Sequence, residues 1–423
     1  MKFYIYTLGC KVNAYESNVM KDKLINNGYI LGNENDSDIY IINTCTVTNT
    51  SDNKSLKVVR RVLKNYPNSI VVVVGCMTQV NSNMLNDLNV SIILGNSGKS
   101  KIVEYIEEYK KTNKKIIDID DIMEKDFEDM CLNNFNKTRA FVKIEDGCEN
   151  YCSYCIIPYA RGKVRSKKPE IVIEEIKNLI SDGHKEIVLT GIHTGHYGSD
   201  LNNYNFSKLL KEIEKIDGLD RLRISSIEIT ELDDEFMDVL KSSKILVDHM
   251  HIPIQSGSDE ILKLMNRKYN KKYFIDKIKK IRDIRPNISI TTDLIVGFPG
   301  ETEELFDETI DTIKQIKFSK IHVFPFSLRK GTKAEELPNH IDDITKKKRV
   351  KKIIEISKNL EKEYFSKFIN KNIGFLPEIY KDGFIIGHTG NYLLIKKKGN
   401  IEDLNKIKKV TIEKIEYPYC IGK

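Results

Sequence analysis

The sequence has no apolar run approaching the roughly 20 residues that cross a bilayer. Its longest, Ile70 to Val74, suits a buried strand, so no membrane partner is expected. The opening MKFYIYTLGC lacks the apolar stretch and small-residue cleavage site of a secretory signal, so a cytoplasmic location is expected. Extreme charge is also missing: 68 Lys and Arg against 61 Asp and Glu leave a net +7. That excess falls short of a histone-like protein yet suits a partner with a phosphate backbone, and a merely solvated lysine surface accounts for it equally well. Cysteine, by contrast, is present eight times, at Cys10, Cys45, Cys76, Cys131, Cys148, Cys152, Cys155 and Cys420. In a reducing compartment these are metal ligands or catalytic groups rather than disulfides.

At 423 residues the chain exceeds what one core serves. From Lys2 to about Gly95, β-branched runs at 3–6, 39–42, 70–74 and 92–94 alternate with amphipathic stretches, one of them Lys54 to Tyr66. This pattern predicts a parallel α/β sheet, a first domain over residues 1–110. Three of its strands run straight into cysteines, Cys10, Cys45 and Cys76, spaced 35 and 31 residues apart. Loops after the carboxyl ends of parallel strands lie along one edge, so the three thiols are expected to converge.

A polar stretch from Lys99 to Thr138 reads as a helix and linker. Six further strand candidates follow at 140–144, 186–189, 222–226, 247–254, 289–296 and 320–324, separated by helical patterns, among them Asp259 to Ile284 in two pieces around Asn266. Six β/α units predict a partial (β/α)6 barrel over 134–366, with its site at the carboxyl ends of the strands. The last segment, 367–423, has short Gly- and Asn-broken strands at 373–377, 384–387, 392–396 and 409–415 and clustered lysines. It reads as a small basic β-barrel, which suits either a single-stranded RNA platform or a merely solvated lysine face.

The most specific signal is Cys148-x3-Cys152-x2-Cys155, directly after the first barrel strand. Three thiolates on one loop can hold three irons of a [4Fe–4S] cluster and leave the fourth open. A structural zinc site would want a fourth Cys or His at paired spacing, and none is nearby. Loop residues after the other barrel strands are placed to contact a cofactor: Gly191, Ser225, Ser226, Gln255, Ser256, Gly297 and Gly300. His193 and His196 read as exposed loop histidines, Arg161, Lys163 and Arg165 as phosphate contacts, and Cys131 and Cys420 receive no role. No acid/base or nucleophile triad is evident.

Cys-x3-Cys-x-Tyr154-Cys at the mouth of a partial barrel resembles the radical S-adenosylmethionine (SAM) superfamily. Together with TLGCKVN, NTCTVTN and VVGCMTQ around Cys10, Cys45 and Cys76, and with IIPYARGKVRS, HIPIQSGSDEIL and TTDLIVGFPGET, the chain resembles the methylthiotransferases along essentially its whole length. GHTGNY at 387–392 resembles a turn of their terminal TRAM barrel. The resemblance implies two [4Fe–4S] clusters, an auxiliary one on Cys10, Cys45 and Cys76 and a SAM-binding one on Cys148, Cys152 and Cys155. It also implies SAM as cofactor, an electron donor of unknown identity and a tRNA anticodon stem-loop as partner. Lys11-Val12-Asn13 looks like the branch that adds a methylthio group to C2 of N6-threonylcarbamoyladenosine. The rival targets are isopentenyladenosine in tRNA or a ribosomal protein, and a rival from another class is a non-enzymatic, metal-containing RNA-binding protein.

Overall fold

The computed structural model describes residues 1–132, 135 and 138–423; the expected start of the barrel segment at Asn134 lies outside the described residues. The first sheet is built from β1 (Lys2–Thr7), β2 (Ile30–Leu31), β3 (Ile39–Thr44), β4 (Ile70–Gly75), β5 (Ile92–Leu94) and β6 (Ile116–Asp118). All its neighbours pair parallel, in the order β2-β1-β3-β4-β5-β6. Side chains alternate between its two faces, which is why the strands read as continuous apolar runs. Ile39, Ile41, Val72 and Val74 pack with Met20 and Leu24 of α1 (Lys11–Asn26), and Tyr40, Ile42, Val71 and Val73 with Leu56, Val59 and Val62 of α2 (Asn49–Asn65). Thr48 caps α2 by accepting from the Ser51 amide, which starts the helix earlier than its apolar pattern suggests. Helix α3 (Cys76–Asn81) joins α2 on one face through Met77, and α4 (Ile102–Thr112) joins α1 on the other through Ile102 and Ile106. The short edge strands β2 and β6 have too few residues to show a period and were not expected.

The second body begins with β7 (Arg139–Lys143). A two-residue ribbon, β8 (Glu145–Asp146) with β9 (Arg165–Ser166), brackets α5 (Ile157–Arg161). Then α6 (Pro169–Ser181), β10 (Glu186–Thr190), α7 (Phe206–Ile213), β11 (Arg221–Ile224), α8 (Asp234–Ser242), β12 (His249–His251), α9 (Asp259–Leu264), α10 (Lys271–Ile284), β13 (Ser289–Val296), α11 (Glu303–Ile316) and β14 (Lys320–Pro325) follow. Two parallel sheets, β7-β10-β11 and β12-β13-β14, meet through a bridge between Leu222 and Leu246 and curve into a six-stranded open barrel. On β13, Ile290, Leu294 and Val296 join the core beneath the helices, while Ser289, Thr291 and Asp293 face the interior. Strand β12 is shorter than expected because Pro253 has no N–H to continue the ladder. The break between α9 and α10 falls at Asn266, whose φ of 58° no helix accommodates.

Helix α12 (Asp343–Ser366) packs along β14 and leads into a closed barrel of five strands. These are β15 (Asn372–Lys381), β16 (Phe384–Thr389), β17 (Leu394–Lys398), β18 (Lys408–Glu416) and β19 (Tyr419–Gly422), in the order β15-β16-β17-β19-β18. Phe375, Ile385, Ile395, Val410, Ile412 and Cys420 fill it; four strands were expected, and the four-residue β19 closes the ring. Two arginines at the amino ends of barrel strands tie it down. Arg139 donates to the Tyr392 hydroxyl at 2.9 Å and to Glu378 at 3.1 Å, and Arg221 donates to the carbonyls of His388 at 3.2 Å and Gly374 at 2.9 Å. Arg139→Ala with Arg221→Ala is expected to cost about 1–3 kcal/mol per charged hydrogen bond lost. Limited proteolysis should then release the terminal barrel faster than from the wild type, with the first two bodies left resistant.

Candidate active site

Cys10, Cys45 and Cys76 follow β1, β3 and β4, which are adjacent in the sheet, so their loops share one edge. Two glycines permit the approach. Gly9 has φ +100°, and a Cβ there would lie 2.8 Å from the Cys45 Cβ; Gly75 has φ +116°, and a Cβ there would lie 2.8 Å from the Thr44 carbonyl oxygen. Asn13 holds the loops from within: its amide donates to the carbonyls of Leu8 at 2.7 Å and Thr44 at 2.8 Å, the first two residues before Cys10 and the second one before Cys45. Thr44 in turn donates to the Val74 carbonyl at 2.8 Å and accepts from the Met77 amide at 3.3 Å, which fixes the loop of Cys76. Cys10 caps α1 and Cys76 begins α3, so both sulfurs sit at positive helix ends that favour a negatively charged occupant.

The second cysteine loop runs from Cys148 to Cys155 between β8 and α5. It is clamped by the α9–α10 junction: Ser153 donates through its amide to the Met265 carbonyl at 3.1 Å, and Asn266 donates to the Tyr151 carbonyl at 3.0 Å. Arg267 donates to the Cys152 sulfur at 3.2 Å and is ion-paired with Glu228. Burial pushes the Cys155 thiol up to about 12 and raises those of Cys45 and Cys148. As free thiols these are protonated at neutral pH, and a metal that binds them must displace the protons. Soft sulfur donors in threes, with N–H groups aimed at Cys152 and at Cys76, match what iron–sulfur cluster ligation requires.

One buried cluster of charges joins the two loops. Arg161, at the end of α5, is fully buried and donates to the Cys76 sulfur at 3.2 Å, to Asn13 at 2.7 Å, to Glu16 at 2.5 Å and to Asp146 at 3.1 Å. Lys143 also bonds Glu16 and Asp146, at 2.8 and 2.6 Å, and Lys99 pairs with Glu16 from the opposite side. Burial alone would neutralise Glu16, but Arg161, Lys143 and Lys99 hold its carboxyl well below the usual range. Burial likewise opposes the charge on Arg161, and Asp146, Cys76 and Glu16 outweigh it. These partners correct the expectation that Arg161 and Arg165 meet phosphates: Arg165 is buried too and donates to the Arg161 carbonyl at 2.6 Å.

A cavity of about 430 Å³ opens where the sheet edge meets the barrel mouth, lined by Cys10 together with Cys148, Cys152 and Cys155. Of the proposed cofactor contacts, Gly191, Ser225, Ser226 and Gln255 line it. Ser256, Gly297 and Gly300 do not. The Ser256 side chain is buried against Thr309, a Cβ on Gly297 would strike Lys346, and Gly300 packs beside Leu264, because the chain turns under the barrel rim at both places. Cys45 and Cys76 stand behind Cys10 rather than at the cavity wall. His193 is buried, not exposed: its amide donates to Glu145 at 2.7 Å, its ring pairs with Glu231, and the half-buried His196 stacks on it at 4.0 Å. Arg267, Glu16, Lys99 and Lys143 escaped the sequence reading, and Asn13 entered it only as part of the TLGCKVN motif, without a structural role. The one available signal was polar residues, Asn13 and Glu16, on the face of α1 that is buried.

Glu16→Gln leaves three buried cations short of a counter-charge, and an uncompensated buried charge costs about 3–5 kcal/mol. Denaturant unfolding of the variant should show a loss of that size with an unchanged slope; a change near zero would mean that the cluster does not bear on stability.

The family profile described as the Radical SAM superfamily matches residues 142–313, and that of Uncharacterized protein family UPF0004 matches 2–95. The threonylcarbamoyladenosine tRNA methylthiotransferase MtaB of Bacillus subtilis is 43% identical over 427 residues, covering 99% of this chain and 95% of its own. MtaB of Aquifex aeolicus is 37% identical, covering 97% and 100%. A tRNA-2-methylthio-N(6)-dimethylallyladenosine synthase of Clostridium botulinum is 34% identical, covering 98% and 94%. Among solved structures, the radical SAM methyltransferase TsrM from Kitasatospora setae superposes with a TM-score of 0.55 at 13% identity, over 77% of this chain and 74% of that one, a likeness of fold. Identity of this extent, with both profiles on the two cysteine-bearing bodies, places the chain in the tRNA methylthiotransferase family of radical SAM enzymes.

Proposed function

We propose that this enzyme adds a methylthio group to C2 of N6-threonylcarbamoyladenosine next to the anticodon of tRNA, using two [4Fe–4S] clusters. The observation that carries this reading is the cavity that Cys10 lines together with Cys148, Cys152 and Cys155. Radical SAM superfamily membership brings one cluster and SAM; the convergence of Cys10, Cys45 and Cys76 on one sheet edge, with Cys10 at the wall of the same cavity, supports the second. The target base follows the relatives that share 43% and 37% of residues and are named for it. Residues 1–110 then form the auxiliary-cluster part, 134–366 the radical SAM core and 367–423 a TRAM-like barrel that holds RNA.

When bound, SAM and the clusters supply the radical and the carried sulfur. The chain's own part is to place and shield them. Cys148, Cys152 and Cys155 would hold the core cluster, with Arg267 donating to the Cys152 sulfur. Gly191, Ser225, Ser226 and Gln255 form the wall against which SAM lies. Arg161 fixes Cys76, and Asn13 fixes the loops of Cys10 and Cys45, so the auxiliary site is held at a set distance from that wall. A fixed separation matters because the reacting atoms must be brought to near contact, and misplacement by about 1 Å costs on the order of 100-fold in rate.

The test is anaerobic reconstitution with SAM, a reductant and anticodon stem-loop RNA carrying the threonylcarbamoyl group, read by nucleoside mass spectrometry. The methylthio form should appear with the wild type. Cys10→Ala should abolish thiolation while SAM cleavage stays detectable, and Cys152→Ala should remove both. Equal loss of cleavage in the two variants would contradict separate roles for the two sets of thiols.

A further inference from the structure

The cavity at the cysteine mouth continues into a second one of about 450 Å³, enclosed by the inward faces of β12, β13 and β14, by α12 and by the β16–β17 turn of the terminal barrel. Lys11, Ser225, His251 and Asp293 line both, so the two form one passage from the terminal barrel to the cysteines. Three cations line this passage. Lys320 is held by Glu361 at 3.1 Å and Arg267 by Glu228. Lys11 has no carboxylate partner among the described residues, and it stands at the seam between the two chambers.

The charge of Lys11 reaches the far chamber. Burial would raise the Tyr392 phenol, but Arg139, Arg223 and Lys11 outweigh it and pull it below its ordinary value. Burial, Arg223, His251 and Lys11 also hold His249 well below the usual imidazole range, so the histidine is neutral and adds no competing positive charge. Lys11 directly follows Cys10, which puts its backbone about 3.8 Å from that of a cysteine facing the reaction space.

The chemistry of the substrate meets this arrangement. In a threonylcarbamoyl group on N6, the outer urea N–H, on the threonine nitrogen, closes a six-membered hydrogen-bonded ring onto ring N1. That folds the threonyl arm along the Watson–Crick edge, toward the end where C2 lies. Its carboxylate therefore sits on the same side of the base as the carbon to be thiolated. A base delivered with C2 toward Cys10 brings that carboxylate toward the residue next to Cys10.

On the reading of the substrate given above, we propose that Lys11 binds the carboxylate of the threonylcarbamoyl group and so selects an anionic N6 substituent over a neutral one. An ion pair, with both donor and acceptor charged, forms only with the acid. A neutral substituent gains at most an ion–dipole hydrogen bond from the ammonium group, and an apolar one gains none. A phosphate of the RNA backbone presents the same anionic oxygens, and the two sources part on whether the effect depends on the substituent.

The experiment compares stem-loop RNA carrying the threonylcarbamoyl acid with RNA carrying its neutral carboxamide, using wild type, Lys11→Met and Lys11→Arg after anaerobic reconstitution. Iron, sulfide and SAM cleavage are measured first in each. The wild type should prefer the acid by about 10- to 100-fold in kcat/KM, the range of a hydrogen bond to a charged group. Lys11→Met should lose that preference, the acid falling to the level of the amide, while SAM cleavage persists; Lys11→Arg should keep most of it. Equal loss on acid and amide would assign Lys11 to a backbone phosphate and overturn the proposal. So would a wild type indifferent to acid and amide, whatever the state of the variants. Thiolation of isopentenyladenosine RNA by the wild type, with none of the threonylcarbamoyl RNA, would instead overturn the functional reading itself.

Discussion

The registry between the two cysteine loops depends on the buried guanidinium of Arg161. Arg161 lies six residues beyond Cys155 and bonds the sulfur of Cys76, which begins the helix after β4 of the first sheet. Glu16 from α1, Asp146 from β8 and Lys143 from β7 surround it, so its partners come from both bodies. Burying so many charges costs several kcal/mol per ion in desolvation before pairing returns any of it. An apolar interface would hold two bodies together at lower cost, but it slides. A directional network of charge-assisted hydrogen bonds sets one registry, and the registry fixed here is that between one cysteine triad and the other.

From that constraint the remaining architecture takes its place. The sheet edge covers the open mouth of the barrel, and the terminal barrel is pinned by Arg139 and Arg221 beside the interior. The passage between them has a sulfur-rich end and an end lined by histidines and Tyr392. The bodies thus share cavities rather than merely touching. A partial barrel of six strands suits this role, because the gap that an eight-stranded barrel would close is where α1 and the terminal barrel approach.

The elements that were legible in the sequence are those whose physics is local. Parallel strands buried on both faces show as runs such as 70–74, and the cysteines sit where β1, β3 and β4 end because such loops gather along one edge. The break at Asn266 could be read because the apolar pattern shifts phase there. What escaped depends on contacts far apart in the chain. Arg161 looks like a surface arginine in its own neighbourhood, and only the arrival of Glu16, 145 positions earlier, makes it an interior one. Arg267 stands 115 positions from the Cys152 sulfur it contacts. The same limit explains the cofactor wall: Gly191, Ser225, Ser226 and Gln255 reach it, whereas Ser256, Gly297 and Gly300 turn beneath the rim, and one residue of register decides between the two.

The central claim is that two sets of thiols, held in one registry, bring two clusters to a common cavity. It is tested most directly by electron paramagnetic resonance of the anaerobically reconstituted, fully reduced protein. Spin coupling across the cavity should broaden and split the wild-type spectrum relative to that of Cys10→Ala and of Cys152→Ala. A wild-type spectrum equal to the plain sum of two isolated cluster signals, or one showing a single cluster, would contradict it.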